Sequence, residues 1–300
     1  MISSELKEGT VVDDGSGGHR RIGAWQEIGE RVFTRRYRFL DQEIGAILTD
    51  AGPVIVDTRS TVGQAREILA ELRELTPLPV AAVIDTHHHF DHTYGNHEFR
   101  PAPIWGHLRC AARIQHMLDD AQAHAQNLLE IAEEYPRVAS EIGGVTVDPP
   151  DQVVDDAGTE IVVGGRRLEL RWLGRGHTDN DLVIRVPDAG VIFAGDLLEN
   201  GAPPWTGDGY PLDWPVTVEG ILALAVESGP AAVVPGHGAV GDRRFVERSL
   251  AELQAITTLA RRVAAGELGI ADAIGAAPWP AGPATETIER ALAQLRGELD

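Results

Sequence analysis

Apolar and polar positions follow two rhythms along this chain, and the rhythms come in the same order twice. Residues 31–40 alternate in part, 45–48 are apolar, and Pro53-Val54-Ile55-Val56-Asp57 is a short apolar run, with the turn residues Asp50-Ala51-Gly52 between the last two. Short runs bounded by turn residues predict strands. The period then changes: Val62, Ala65, Ile68, Leu69, Leu72 and Leu75 recur at helical spacing, so 61–75 is predicted as a helix capped by Ser60 or Thr61. Residues 80–85 predict a buried strand and 103–105 a shorter one, while 107–140 read mostly as helix. The second half repeats the rhythm, with strands predicted over 159–163, 168–173, 182–186, 191–194 and 231–234, and helices over 216–226, 242–264 and 285–299. No sequence repeat is visible. Strands followed by helix in each half predict two sheets packed face to face with helices outside.

The ends and breaks of this pattern set the expected organisation. Residues 1–22 are polar and glycine-rich and predict a flexible arm; 23–265 form the main domain, and 266–300 a helical extension packed on it. Asp148-Pro149-Pro150-Asp151 interrupts the rhythm, and 275–283, rich in alanine, proline and glycine, predict a flexible connection to the last helix.

Composition narrows the class. Of 300 residues, 43% are hydrophobic and 24% charged, ordinary globular usage that excludes disorder over most of the chain. No apolar run approaches the roughly 20 residues that cross a bilayer, and the N-terminus does not read as a secretory signal. The single cysteine, Cys110, excludes an intrachain disulfide and a thiolate-rich metal site. It suits a reducing compartment, so a cytoplasmic location is expected. Its helix-like context reads as a buried small hydrophobe rather than a reactive thiol. With 46 acidic and 26 basic residues the net charge is −20. Phosphate backbones and anionic membranes meet net repulsion, so neither is expected as a partner; a small molecule is.

The chemistry lies in the histidines. The strand predicted over 80–85 runs straight into Thr86-His87-His88-His89-Phe90-Asp91-His92. In an extended segment His87 and His89 project to one side, with Asp91 in phase, and His92 follows where the chain turns. Imidazole and carboxylate are the ligands zinc favours. His88 has the opposite parity and reads as a spacer or a supporting residue. A surface histidine run or a structural metal would explain the cluster more plainly, but neither accounts for its place at the end of a buried strand. Three later residues share one context, an apolar strand, then glycine, then a potential ligand: His177 in Gly176-His177-Thr178, Asp196 in Gly195-Asp196 and His237 in Gly236-His237-Gly238. Each alone is weak evidence, since residues at strand ends often only cap or hydrogen-bond.

Thr86-His87-x-His89-x-Asp91-His92, followed in order by His177, Asp196 and His237, resembles the signature of the metallo-β-lactamase superfamily over roughly residues 30–240. The resemblance implies an α/β fold, a four-layer αββα sandwich, here with a helical insertion and C-terminal helices. It implies a dinuclear centre in which His87, His89 and His177 hold one metal, Asp91, His92 and His237 the other, and Asp196 bridges both. Two zinc ions are expected, with manganese or iron able to use the same ligands. The implied activity is metal-dependent hydrolysis, in which a hydroxide shared by the metals cleaves a small ester, thioester, lactone or lactam, with Asp91 as the catalytic residue that orients the water. A phosphodiesterase or sulfatase of the same fold is the alternative, and a diiron redox or metal-binding protein the alternative of another class. An aspartate at 196 departs from the β-lactamase subclass that has cysteine there. Gly238-Ala239-Val240 after His237 lacks the tyrosine of the glutathione thioesterases, and Leu197-Leu198-Glu199 lacks the tyrosine of the homoserine-lactone lactonases.

Outside the ligands, Asp57, Thr86 and Thr178 are candidates to orient imidazoles. The loop at 200–214 carries Trp205, Asp208, Tyr210 and Trp214; Trp205, Tyr210 and Tyr94 are the expected substrate-binding residues. The plainer reading of the loop aromatics is that they pin it to the surface. Residues 107–140 are a candidate lid, with His107, His116 and His124 as ordinary packing or surface residues.

Overall fold

A computed structural model describes residues 11–13, 19–21, 23–229 and 232–299. Most of the expected N-terminal arm therefore lies outside the described residues; its described parts, β1 (Val11–Asp13) and β2 (His19–Arg21), pair as an antiparallel ribbon.

Two sheets follow in chain order. The first contains β3 (Gln26–Gly29), β4 (Val32–Arg36), β5 (Glu43–Thr49), β6 (Gly52–Val56), β7 (Ala82–Ile84), β8 (Ile104–His107) and β9 (Gln152–Val154), ordered as numbered. It is antiparallel through β6 and parallel from β6 to β9. The second contains β10 (Thr159–Val163), β11 (Arg166–Trp172), β12 (Leu182–Val186), β13 (Val191–Asn200) and β14 (Ala232–Gly238), with only the β13–β14 pair parallel. The helices are α1 (Val62–Leu72), α2 (Phe90–Thr93), α3 (Leu108–Asp119), α4 (Ala121–Glu134), α5 (Ala139–Ile142), α6 (Trp214–Glu227), α7 (Arg243–Ala264), α8 (Ile270–Ala276) and α9 (Ala281–Leu295).

Strand periodicity explains the layers, because neighbouring side chains on a strand face opposite ways. Val54 and Val56 meet Leu182, Ile184 and Phe193 between the sheets, whereas Ile55 turns outward onto Ala65 and Ile68 of α1. In the second sheet Val191 and Phe193 point inward, and Ile192 points outward against the α6–α7 layer. The result is the four-layer αββα sandwich. Gly45 is needed at the interior: a Cβ there would lie 2.4 Å from the Phe193 ring.

Two boundaries differ from the sequence pattern for physical reasons. The strand predicted over 191–194 continues to Asn200 because β13, after register shifts at Gly195, pairs again with β14 at Glu199 and His237. The stretch 275–283 is no flexible connection: Gly282 and Pro283 fall in the first turn of α9, where proline's missing N–H costs nothing. The C-terminal helices share one core with the second sheet, since Trp279, Ile288 and Ala291 join Ile192, Trp214 and Val233.

Candidate metal centre

The predicted ligands lie on strands of the sandwich or on the segments that directly follow them. After β7 the chain runs extended through His87 and His89 and then turns into α2, which carries Asp91 and His92. His177 lies between β11 and β12, Asp196 within β13 and His237 within β14. The glycines act sterically as well as conformationally: Gly195 has φ +54, and a Cβ on Gly236 would stand 1.7 Å from Asp196 Oδ1.

The seven donors form two groups that share one carboxylate. In the first, His89 Nδ1 is 3.0 Å from His87 Nε2 and 2.9 Å from His177 Nε2. Asp196 Oδ2 lies 3.7 Å from His87 Nε2 and 3.4 Å from His177 Nε2. In the second, Asp91 Oδ2 is 3.3 Å from the Nε2 atoms of both His92 and His237. Asp196 reaches this group too, with Oδ1 3.3 Å from His92 Nε2 and Oδ2 3.2 Å from His237 Nε2. Donors ~2.0–2.1 Å from a tetrahedral zinc stand ~3.3–3.4 Å from one another, so the separations fit.

The outward nitrogens fix which lone pairs face inward. Asp57 Oδ2 accepts from His92 Nδ1–H at 2.8 Å and from the Thr86 hydroxyl at 2.9 Å, and Oδ1 accepts the Thr86 N–H at 2.8 Å. With its proton given to Asp57, Thr86 Oγ1 accepts from His87 Nδ1–H at 3.0 Å. His177 Nδ1–H donates to the Trp205 carbonyl at 3.1 Å, and His237 Nδ1–H to the Leu40 carbonyl at 2.7 Å. His89 is turned round: its Nδ1 faces the centre and its Nε2–H donates to Asp208 Oδ2 at 3.2 Å. Five imidazole lone pairs and two carboxylates thus converge on one space. His92 Nε2 and Asp196 Oδ1 are buried there without a hydrogen-bond partner. Buried polar atoms are seldom left so, and a pair of cations would satisfy them.

Charge points the same way. Burial pushes His87 well down and His177 to about 4. Burial also opposes the charged forms of His92 and His237, but Asp196 and Asp91 outweigh it and hold both well above the ordinary histidine range. Against the same desolvation, the surrounding imidazoles, His237 and His92 foremost, hold Asp196 well below the usual carboxylate range. Without metal, protons fill the positive role in the second group; metal binding must displace them.

The centre opens into a cavity of about 490 Å³. Leu40, Phe90, Ala202 and Trp205 line it, and Met117, Asn127, Ile131 and Tyr135 of the 107–140 region form a wall opposite. Neither lysine nor arginine is among the described residues lining it; Asp41, Glu130, Glu134 and Glu199 are.

Of the expected substrate-binding residues, Trp205 and Tyr94 line this cavity. Trp205 is 52% exposed, with its ring centroid 5.4 Å from that of His89. Tyr210 does not line it. It is buried under the loop, with the Arg175 guanidinium 4.3 Å over its ring and its N–H on the Gly176 carbonyl, so it pins the loop to the segment bearing His177. The hydrogen bonds of Thr178 go elsewhere than to a ligand imidazole: its N–H and hydroxyl cap Asp181, whose carboxyl burial pushes up to about 7. His107 caps α3 and stacks on Trp172, and Cys110 is buried. The sequence reading gave no role to Asp208, Leu40 or Glu199. Asp208 had one available signal, its place in the aromatic loop after Asp196; the Leu40 carbonyl had none.

The model of the metallo-beta-lactamase superfamily matches residues 40–237, about two thirds of the chain and all seven donors. The chain belongs to this superfamily. A "Metallo-beta-lactamase type 2" of Bacillus cereus is 30% identical over 95 residues, 31% of this chain and 36% of that protein. The match thus spans about a third of that relative's length. Among solved structures, a metallo-beta-lactamase from Pontibacter korlensis superposes with TM-score 0.59 at 22% identity, covering 77% of this chain and 98% of that one. The inverting sec-alkylsulfatase Pisa1 from Pseudomonas sp. gives TM-score 0.72 at 15% identity, covering 90% of this chain and 50% of that one. No helix among the described residues is long and apolar enough to cross a membrane.

Proposed function

We propose that this superfamily member is a dinuclear metal-dependent hydrolase that cleaves the ester bond between a small anionic head and an apolar tail, and that the head is a sulfate. His87, His89 and His177 hold one ion, Asp91, His92 and His237 the other, and Asp196 both, with zinc as the metal. Bound there, two cations supply Lewis acidity, polarising an oxygen of the scissile group and acidifying a water. Asp91, which lines the chamber as well as standing in the second group, would orient the attacking water. Trp205 and Tyr94 line the path of the tail.

One observation carries this reading: a largely apolar chamber that ends on the ligand wall and has neither lysine nor arginine among the described residues of its lining. With no lysine or arginine among the described lining residues, the metals would be the main positive charge offered to an anionic head. A substrate with a second anionic group on its far side would meet Asp41, Glu130 and Glu134 instead. That disfavours phosphodiester chains and carboxylate-bearing lactams and suits an alkyl sulfate. The likeness to an alkylsulfatase, extending over more of the chain than the likeness to a lactamase, supports the same choice.

The test is turnover by the zinc-loaded protein of alkyl sulfates, carboxylate esters, thioesters, lactones, β-lactams and phosphodiesters, beside a chelated control. Alkyl sulfate cleavage abolished by chelation is expected. Cleavage of lactams or lactones alone would replace the sulfate reading, and activity surviving metal removal would end the hydrolase reading as stated.

A further inference from the structure

His88 is the one histidine of the His87–His92 cluster that no metal position claims, yet it lines the cavity beside His89. Asn180 grips it at two points: Asn180 Oδ1 accepts the His88 main-chain N–H at 3.1 Å, and Asn180 Nδ2 stands 3.1 Å from His88 Nδ1. The amide cannot be turned over. Its Nδ2 also donates to Asp179 Oδ1 at 2.8 Å, and Arg113 holds that carboxylate with both Nε and Nη2. A reversed amide would put oxygen against a carboxylate and NH2 against an N–H. Nδ2 therefore donates to His88 Nδ1, and the ring proton must sit on Nε2.

This settles a choice the geometry leaves open. His88, His89 and Asp208 are close enough to hold a third cation. Such a cation would need bare Nε2 atoms, but on His88 the Asn180 grip protonates Nε2. On His89 the inward-facing Nδ1 leaves the proton on Nε2, where Asp208 takes it. The cluster is a donor edge, not a metal site. Asp208 is already engaged by His89, and its Oδ2 is 3.6 Å from His88 Nε2, beyond hydrogen-bond distance. The His88 N–H is thus a fixed, neutral donor at the wall of the chamber, with no acceptor at hydrogen-bond distance among the described residues.

We propose that His88 is a substrate-binding residue that donates Nε2–H to an oxygen of the anionic head group, a sulfuryl oxygen if the preceding proposal holds. A neutral donor adds recognition of a tetrahedral oxyanion in a chamber that lacks lysine and arginine.

Three measurements test this on the zinc-loaded full chain. His88→Phe keeps a ring and removes the donor, and His88→Gln restores an N–H. His88→Phe is expected to retain two metals by elemental analysis and to lose ~10–100-fold in kcat/KM, mainly through KM, on whichever ester of the panel is turned over. His88→Gln should recover part of the loss. Inorganic sulfate should bind His88→Phe about tenfold more weakly than the parent by calorimetry. Nitrogen-15 spectra of the histidines should place the His88 proton on Nε2. Unchanged kcat/KM and sulfate affinity in His88→Phe, loss of a metal from it, or a proton on Nδ1 would each overturn the proposal. If no ester is turned over but sulfate binding still depends on His88, the hydrolase reading fails and the role of His88 stands.

Discussion

Asp57 offers the sharpest test of the metal centre, because it lies outside the cavity and touches no substrate. It is buried at φ +64, a conformation asparagine tolerates. Asp57→Asn therefore changes the chemistry with little change of shape. The carboxylate serves three donors: the Thr86 N–H on Oδ1, and the Thr86 hydroxyl and His92 Nδ1–H on Oδ2. An amide has one oxygen. A main-chain N–H cannot move its proton, whereas an imidazole can, so the amide oxygen goes to Thr86 N–H and the NH2 faces His92. His92 must then carry its proton on Nε2, the atom aimed at the second ion. Loss of such an outer partner typically weakens metal binding ~10–100-fold, about 1.4–2.7 kcal/mol. Titration of the metal-free variant with zinc against a chromophoric chelator should show one dissociation constant raised by that factor and the other raised as well, since the Thr86 hydroxyl that orients His87 loses the same acceptor. If both constants match the parent in a folded variant, the tautomer reasoning is wrong.

Other outcomes follow from single contacts. Gly236→Ala places a methyl 1.7 Å from Asp196 Oδ1; it should push the shared carboxylate aside, leave circular dichroism unchanged, and lower the metal content below two per chain by elemental analysis. Asp181 has a folded-state pKa of about 7 against an ordinary 3.8. The folded state holds this proton more tightly, so the contribution to stability is full below about pH 4 and is lost as pH rises to 7, up to ~4 kcal/mol. Urea midpoints of the metal-free protein should fall over that window, and Asp181→Asn should flatten the fall. Chelation should lower the thermal midpoint by several degrees, since each site saturated at a hundred times its dissociation constant adds ~2.7 kcal/mol; an unmoved midpoint would mean the two sheets are not joined through bound metal.

The sandwich was legible because its strands are short apolar runs and because the helix after β6 begins with a threonine that does cap it, Thr61 Oγ1 accepting from Gln64 N–H. The donors were legible because each follows such a run and carries a distinctive side chain. What supports them was less so. Two of the five imidazoles lean on carbonyls of Trp205 and Leu40, groups that every residue possesses, so no letter in the sequence reports them. Asp208 and Asn180 act across long separations, 119 residues to His89 and 92 to His88, which local periodicity cannot see. Tyr210 misled for a related reason: an aromatic in a glycine-rich loop reads the same whether it faces a ligand or anchors the loop from beneath.

His237 comes from the last strand of the second sheet, and its imidazole is steadied by Leu40, from the connection between β4 and β5 in the first. The ligand wall is thus closed by residues almost 200 positions apart. During synthesis the His87–His92 segment leaves the ribosome long before β14 exists, so a cation caught early has only part of its final cage. The second group of donors can therefore be complete only once the chain has folded through β14.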